Sequence, residues 1–110
     1  MLDLYFFKSF FVAGFGYYEG SFVFDELKVG TPIELVLDAN NIYDDNAVEL
    51  RYNNTKIGFI PKESNKEIAT LLKAGYSDIF KAVIQQISPN KHPEQQIKIG
   101  VFIKNKKRDN

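Results

Sequence analysis

The chain contains no cysteine and no tryptophan, and only one histidine and one methionine among 110 residues. Without cysteine there are no disulfides, no thiolate metal ligands and no cysteine nucleophile, in keeping with a reducing compartment. The lone histidine, His92, sits between Lys91 and Pro93 in a loop-like stretch, with no second imidazole to build a metal site or a base–nucleophile pair. Net charge is missing too. Fourteen basic and fourteen acidic residues cancel, so the chain lacks the long-range field behind sequence-independent nucleic-acid binding, and any such site must be local. No apolar run approaches the roughly 18 residues that a membrane helix needs. The start, Met1 to Phe15, is interrupted by Asp3 and Lys8 and lacks the basic region and cleavage site of a signal peptide. The expectation is a cytoplasmic, soluble single domain without a membrane segment.

What is present favours strands. Apolar residues make up 45% of the chain, with ten Phe and six Tyr, residue types suited to a pleated, half-buried surface. Residues 5–15 read as a strand broken by Gly14 and Gly16, while residues 17–31 resist assignment before the Gly30-Thr31-Pro32 turn. Residues 33–37 form a strand with Ile33, Leu35 and Leu37 on one face. Residues 47–52 alternate again, and Asn53-Asn54 marks a hairpin into residues 56–60. Ser64 and Glu67 have the spacing of a capping box, Ile68, Leu71 and Leu72 follow at helical spacing, and Gly75 fits the C′ position. One helix is therefore expected, over about 64–74. Residues 79–87 and 95–103 are further strands, separated by a loop with two prolines. The fold expected is mainly β: a small barrel or sandwich of about six strands with one α-helix. One domain would span 1–103, with a polar basic tail over 104–110 carrying Lys104, Lys106, Lys107 and Arg108.

Several motifs fail on their own chemistry. Asp38, Asn40, Asp44, Asn46 and Glu49 fall near calcium-loop offsets, but Ile42 cannot ligate and Tyr43 stands where the sharp turn needs glycine. Gly14, Gly16 and Gly20 are not a dinucleotide fingerprint, because the third glycine is one place late and a β-type segment is expected where a helix should start. The pairs Asp25-Glu26 and Asp44-Asp45 are adjacent in sequence, with nothing to suggest two carboxylates converging on a substrate. No catalytic residue, metal or cofactor is expected, and the chain reads as a non-enzyme.

Two loops stand out instead. Asn41-Ile42-Tyr43-Asp44-Asp45-Asn46 gathers amides, carboxylates and one aromatic, and Gly14-Phe15-Gly16-Tyr17-Tyr18-Glu19-Gly20 pairs glycines with adjacent tyrosines. Tyrosine has a flat stacking face and a polar tip, and a nucleobase stacks on such a face whatever its identity. A carboxylate beside it accepts a hydrogen bond from a sugar hydroxyl and repels a phosphate, so Asp44 next to Tyr43 favours a strand terminus with a free hydroxyl.

These residues also resemble the HIRAN domain family, found near the N-terminus of DNA-remodelling and repair helicases and as free-standing bacterial proteins. The resemblance is carried by Phe11 to Gly20, by Asn41 to Val48, by Lys56-Ile57-Gly58-Phe59-Ile60-Pro61-Lys62 and by the helix with Ile68-Ala69 and Leu71-Leu72. It covers about residues 8–103. It implies an OB-like β-barrel that binds the 3′ end of single-stranded DNA. By the same resemblance, Tyr17 and Tyr43 sandwich the terminal base, with Tyr18 beside them. Asp44 holds the 3′-hydroxyl, Asn41 supports the end, Lys62 contacts phosphate, and Phe102 is the match for an aromatic of a late strand.

Three positions depart from the family pattern: Gly16 and Phe59 replace a basic residue and a histidine, and Ile42 replaces a proline. The first two remove polar groups that would face phosphate. The resemblance thus implies a DNA-binding module of repair or replication-fork processing, partnered by a single-stranded 3′ end and by a helicase or other repair protein. The alternative is a protein-interaction or accessory module of the same fold that has lost DNA binding.

Overall fold

A computed structural model describes residues 3–105. Six strands, β1 (Leu4–Phe11), β2 (Pro32–Leu37), β3 (Val48–Tyr52), β4 (Thr55–Phe59), β5 (Phe80–Ile87) and β6 (Ile97–Lys104), form one sheet in the order β1-β6-β5-β2-β3-β4. Every neighbouring pair is antiparallel. The alternation seen in the sequence for β2 and β3 is the alternation that is buried, and β5 and β6 bury residues in the same way. Val48 and Leu50 of β3 and Ile97, Ile99 and Val101 of β6 point into the core, as do Ile33 of β2 and Ile84 of β5. The side-chain period of two puts such residues on one face of each strand.

The β3–β4 hairpin turns at Asn53 and Asn54, with φ of 46° and 67°. A two-residue turn that matches the strand twist needs positive φ at both positions, and asparagine tolerates this conformation better than most residues. Irregular register interrupts β1 between Phe6 and Lys8, β5 between Ile84 and Gln86, and the β3–β4 pair beside Leu50 and Arg51. Each such bulge bends its strand and deepens the twist. The bent sheet does not close into a continuous barrel ladder. Its two margins meet at one isolated bridge, where Ala13 and Phe59 exchange two backbone hydrogen bonds of 2.9 Å. Gly58 makes this approach possible, since a Cβ there would lie 2.5 Å from the Ala13 carbonyl oxygen and against Val12.

Helix α1 (Gly20–Val23) lies within the stretch that the sequence left unassigned, and helix α2 is Lys66–Lys73. The segment after Tyr18 is thus helical where a β-type run is expected. Gly20 packs so closely on Phe15 that a Cβ would overlap its ring. Single 3₁₀ turns cover Phe24–Glu26, Lys62–Ser64, Ser77–Ile79 and Pro93–Gln95. The principal helix starts two residues later than expected, because the capping box does not form. Ser64 belongs to the preceding 3₁₀ turn, and Glu67 instead pairs with Lys8 of β1 at 2.8 Å. Lys8 also donates to the Ser64 carbonyl, so one ammonium ties β1 to the start of α2. The other end is as expected. Gly75 has φ of 93°, its N–H donates to the Leu72 carbonyl, and that of Tyr76 donates to Leu71, a Schellman termination. The α2 face with Ile68 and Ala69 is buried, with Leu71 and Leu72 packed beside it.

Lys104 ends β6, while Lys106, Lys107 and Arg108 of the expected basic tail lie outside the described residues. No helix among the described residues is long and apolar enough to cross a membrane.

Candidate functional site

The loop between β2 and β3 is built by its own amides and carboxylates. Asn41 Oδ1 accepts from the backbone N–H groups of Tyr43 (2.8 Å) and Asp44 (2.9 Å), and Asn41 Nδ2 donates to Asp38 Oδ2. Asp44 Oδ1 accepts from the Asn46 N–H at 2.9 Å. The base of the loop is closed by the Asp38 N–H donating to the Ala47 carbonyl. Asparagine and aspartate favour such turns because their short side chains reach backbone groups two or three residues on. Asn41 therefore spends its amide on shaping the loop. The result carries Tyr43 outward with 86% of its surface exposed.

Helix α2 holds this loop from behind. Asn65, only 2% exposed, donates from Nδ2 to Asp44 Oδ2 at 3.0 Å, and Lys73 Nζ donates to Asn46 Oδ1 at 2.9 Å. Hydrogen bonds from the Asn46 N–H and then from the Asn65 amide hold the Asp44 carboxyl below its ordinary value. Partial burial opposes the shift, and the charges of Lys62 and Lys73 add to it. Asp44 is thus ionised near neutral pH. Two of its lone-pair positions are used, and a carboxylate has about four, so acceptor capacity is left for a donor arriving from outside.

Asn41, Tyr43, Asp44 and Lys62 line one cleft of about 220 Å³, floored by Ala13, Ala47, Phe59 and Ile60. Four of the seven residues singled out from the sequence are therefore brought together. Tyr17 and Tyr18 line an adjoining groove of about 550 Å³ with Lys56 and Arg51. The two hollows meet through ring contacts: Tyr18 packs edge-on against Phe59 (5.5 Å) and against Tyr17 (5.1 Å). The turn that presents the tyrosines is hydrogen-bonded at Gly14, whose carbonyl accepts from the N–H groups of Tyr17 and Tyr18. Gly14 has φ of 76°, and a Cβ there would meet the Tyr18 ring at 2.9 Å. Glycine is thus required on two counts. Tyr17 is 83% exposed and Tyr18 half-buried.

Phe102 is not brought to either hollow. It lies toward the end of β6, opposite Phe6 of β1 and Lys81 of β5, with its ring edge-on to Phe6 at 5.7 Å. The sequence places Phe102 on a strand without saying how far along the sheet the site lies. His92 is accounted for locally, accepting from the Glu94 N–H to cap the Pro93–Gln95 turn.

Three residues of this region were not singled out from the sequence. Asn65 reads there as a helix residue behind Ser64, Lys56 as an ordinary strand position, and Lys73 falls within the expected helix without a role. Only the N-cap preference for asparagine hinted at Asn65, and its side chain turns away from the helix end to reach Asp44. Gly16, where a basic residue stands in the family pattern, lies against Pro93, and a Cβ there would sit 2.9 Å from that ring.

Residues 5–106 match the HIRAN domain family. Among solved structures, a protein from Lactobacillus plantarum superposes with a TM-score of 0.76 at 20% identity, covering 94% of this chain and 98% of that one. The HIRAN domain of human HLTF superposes with a TM-score of 0.60, also at 20% identity, covering 92% of this chain and 77% of that one. No curated protein matches the sequence.

Proposed function

The chain belongs to the HIRAN domain family, and on that premise we propose that it is a non-catalytic DNA-binding module that captures the 3′-hydroxyl end of single-stranded DNA. The observation that carries this reading is the pairing of an ionised, braced carboxylate with an exposed ring at the rim of one cleft. Asp44 is fixed by Asn46 and Asn65, and Tyr43 beside it is 86% exposed. Tyr43 and Tyr17 stack on the terminal base, and Asp44 accepts from the 3′-hydroxyl. Lys62 at the cleft rim takes the nearest phosphate, and Asn41 acts by shaping the loop. A carboxylate suits a hydroxyl terminus and opposes a phosphate terminus, so the chemistry itself supplies the discrimination. Such a module would serve repair or fork processing beside a helicase, since it carries no nucleotide-hydrolysis motif of its own.

The test is fluorescence anisotropy at low salt with short single strands ending in a 3′-hydroxyl or a 3′-phosphate. Preference for the hydroxyl is expected, with Tyr43→Ala weakening binding about 5- to 150-fold, the range of one base–aromatic stack. Equal binding of the two ends would remove the reading. One observation favours a protein-interaction role instead. Tyr5 and Phe6, on the sheet-margin strand β1, are 58% and 57% exposed. Failure to bind either strand would turn attention to that face.

A further inference from the structure

The groove beside the end cleft has a composition of its own. It is lined by Tyr17, Tyr18, Glu19, Phe22, Arg51 and Lys56 and encloses about 550 Å³. Two of its rings, Tyr17 and Phe22, are each 83% exposed. Phe22 projects from α1, whose position is fixed by the close fit of Gly20 on Phe15 and by the Phe22 N–H donating to the Glu19 carbonyl. Its two cations differ sharply in what they hold. Arg51 is occupied: its guanidinium pairs with Glu49 at 2.7 Å and donates to the Asn54 carbonyl. Lys56 Nζ instead stands 4.3 Å from the Tyr18 ring centroid and 4.4 Å from that of Phe59, with no hydrogen bond or ion pair to a carboxylate among the described residues. An ammonium poised over two rings is positioned without being neutralised.

We propose that this groove is a second nucleotide subsite, in which Phe22 stacks the base next to the terminal one and Lys56 shares the intervening phosphodiester with Lys62. The inference rests on the end-capture reading above, and it names what lies beyond the terminal nucleotide. The groove adjoins the end cleft through the Tyr18–Phe59 contact, and Phe59 is shared between the cleft wall and the Lys56 cage. It also answers a chemical deficit. Gly16, pressed against Pro93, leaves no room for a basic side chain, and Phe59 offers no donor, so phosphate charge must be met from another position. Lys56 supplies it from β4. Another hollow that adjoins the cleft, about 560 Å³ along Phe10, Phe11 and Pro61, sets Glu63 and Glu94 against Lys62 and is poorly suited to phosphate. Glu19 is the one carboxylate at the proposed groove, and Glu19→Gln is expected to tighten binding.

The experiment measures anisotropy for wild type, Lys56→Gln and Phe22→Ala with single strands whose backbone is natural or carries one neutral methylphosphonate at the linkage next to the 3′ terminus. A second pair of strands differs only in ending with a 3′-hydroxyl or a 3′-phosphate. Lys56→Gln is expected to weaken binding about tenfold and to flatten the salt dependence by about 0.7 in log–log slope. The methylphosphonate that weakens wild type should weaken this variant by a smaller factor, because only Lys62 is then left at that linkage. Phe22→Ala is expected to lose about fivefold or more with a natural base at the second position and nothing with an abasic one. Both variants should keep the preference for a 3′-hydroxyl. If the preference is present and both variants bind like wild type, the groove proposal is overturned and the end cleft stands. If the variants weaken binding but wild type ignores the terminus, the groove stands and the end cleft does not. If wild type binds no single strand, both are overturned.

Discussion

Asn65 at the foot of α2 and Asp44 in the β2–β3 loop, 21 positions apart in sequence, share a hydrogen bond of 3.0 Å that joins the helix to the candidate cleft. Asn65 is buried and Asp44 accepts at both carboxylate oxygens, so loop shape and the charge beside Tyr43 depend on a residue almost fully shielded from solvent. Replacing Asn65 with alanine is expected to destabilise the fold by about 1.5–3 kcal/mol, the range for losing a hydrogen bond to a charged group. Chemical denaturation measures the loss. The same variant should weaken binding at the cleft without removing any side chain that lines it.

The lowered Asp44 titration gives this contact a pH signature. In the unfolded chain the carboxyl titrates near 3.8, and in the folded chain it titrates lower. The stabilisation is therefore complete above the unfolded value and is lost as pH falls through the folded one. Glu67, lowered by its hydrogen bond from Lys8, acts in the same direction. The difference in Tm between wild type and Asn65→Ala should be constant above about pH 5 and shrink below it. Asn65→Asp sets two carboxylates together, so it should be less stable than Asn65→Ala at neutral pH and recover in acid. A series of thermal melts from neutral pH downward checks both signs.

Exposure separates the tyrosines proposed to stack from one that packs. Tyr17 and Tyr43 are 83% and 86% exposed, so Tyr17→Ala and Tyr43→Ala should melt within about 0.5 kcal/mol of wild type. Tyr18 touches Tyr17, Phe59 and the Lys56 ammonium, so Tyr18→Ala should lower stability as well as binding.

The hairpin turn offers a gain. Asn53 and Asn54 both have positive φ, where a β-branched residue would cost about 1–2 kcal/mol. Asn54→Gly is expected to raise the Tm and Asn54→Val to lower it. The hydrogen bond from the Arg51 guanidinium to the backbone carbonyl of residue 54 is available in either variant.

Much of this architecture can be read locally. Alternation over β2 and β3, the Asn-Asn hairpin and the Gly75 terminator are short-range signals, and each lies where the sequence implies. The helix start does not, because Lys8, 59 positions away, takes the Glu67 side chain that a capping box needs. Residues 17–31 carry no clear period, since α1 is fixed by how Gly20 fits Phe15. Asn41, Tyr43 and Asp44 are singled out by loop composition and family resemblance together, and Lys62 by the resemblance alone. Asn65, Lys56 and Phe22 are not, because their roles depend on which strand or loop comes to lie beside them. Phe102 fails for a related reason: its residue type suits a stacking role, but its distance along β6 does not.

The meeting of the sheet margins at Ala13 and Phe59 divides the molecule along a seam. On one bank stands the turn bearing Tyr17 and Tyr18, and on the other the hairpin and the segment leading to Lys62. Besides that bridge, the hydrogen bond from the Glu19 N–H to the Lys56 carbonyl crosses the same line. A strand of nucleic acid lying across both hollows would act as a stitch, adding to the closure that the backbone makes with that bridge and that one further hydrogen bond. Its arrival should slow amide exchange at Ala13, Glu19 and Phe59 more than anywhere in the β5–β6 ladder. Gly58→Ala, which wedges the seam at a cost of about 1–3 kcal/mol, should loosen the grip on the ligand by the same opening.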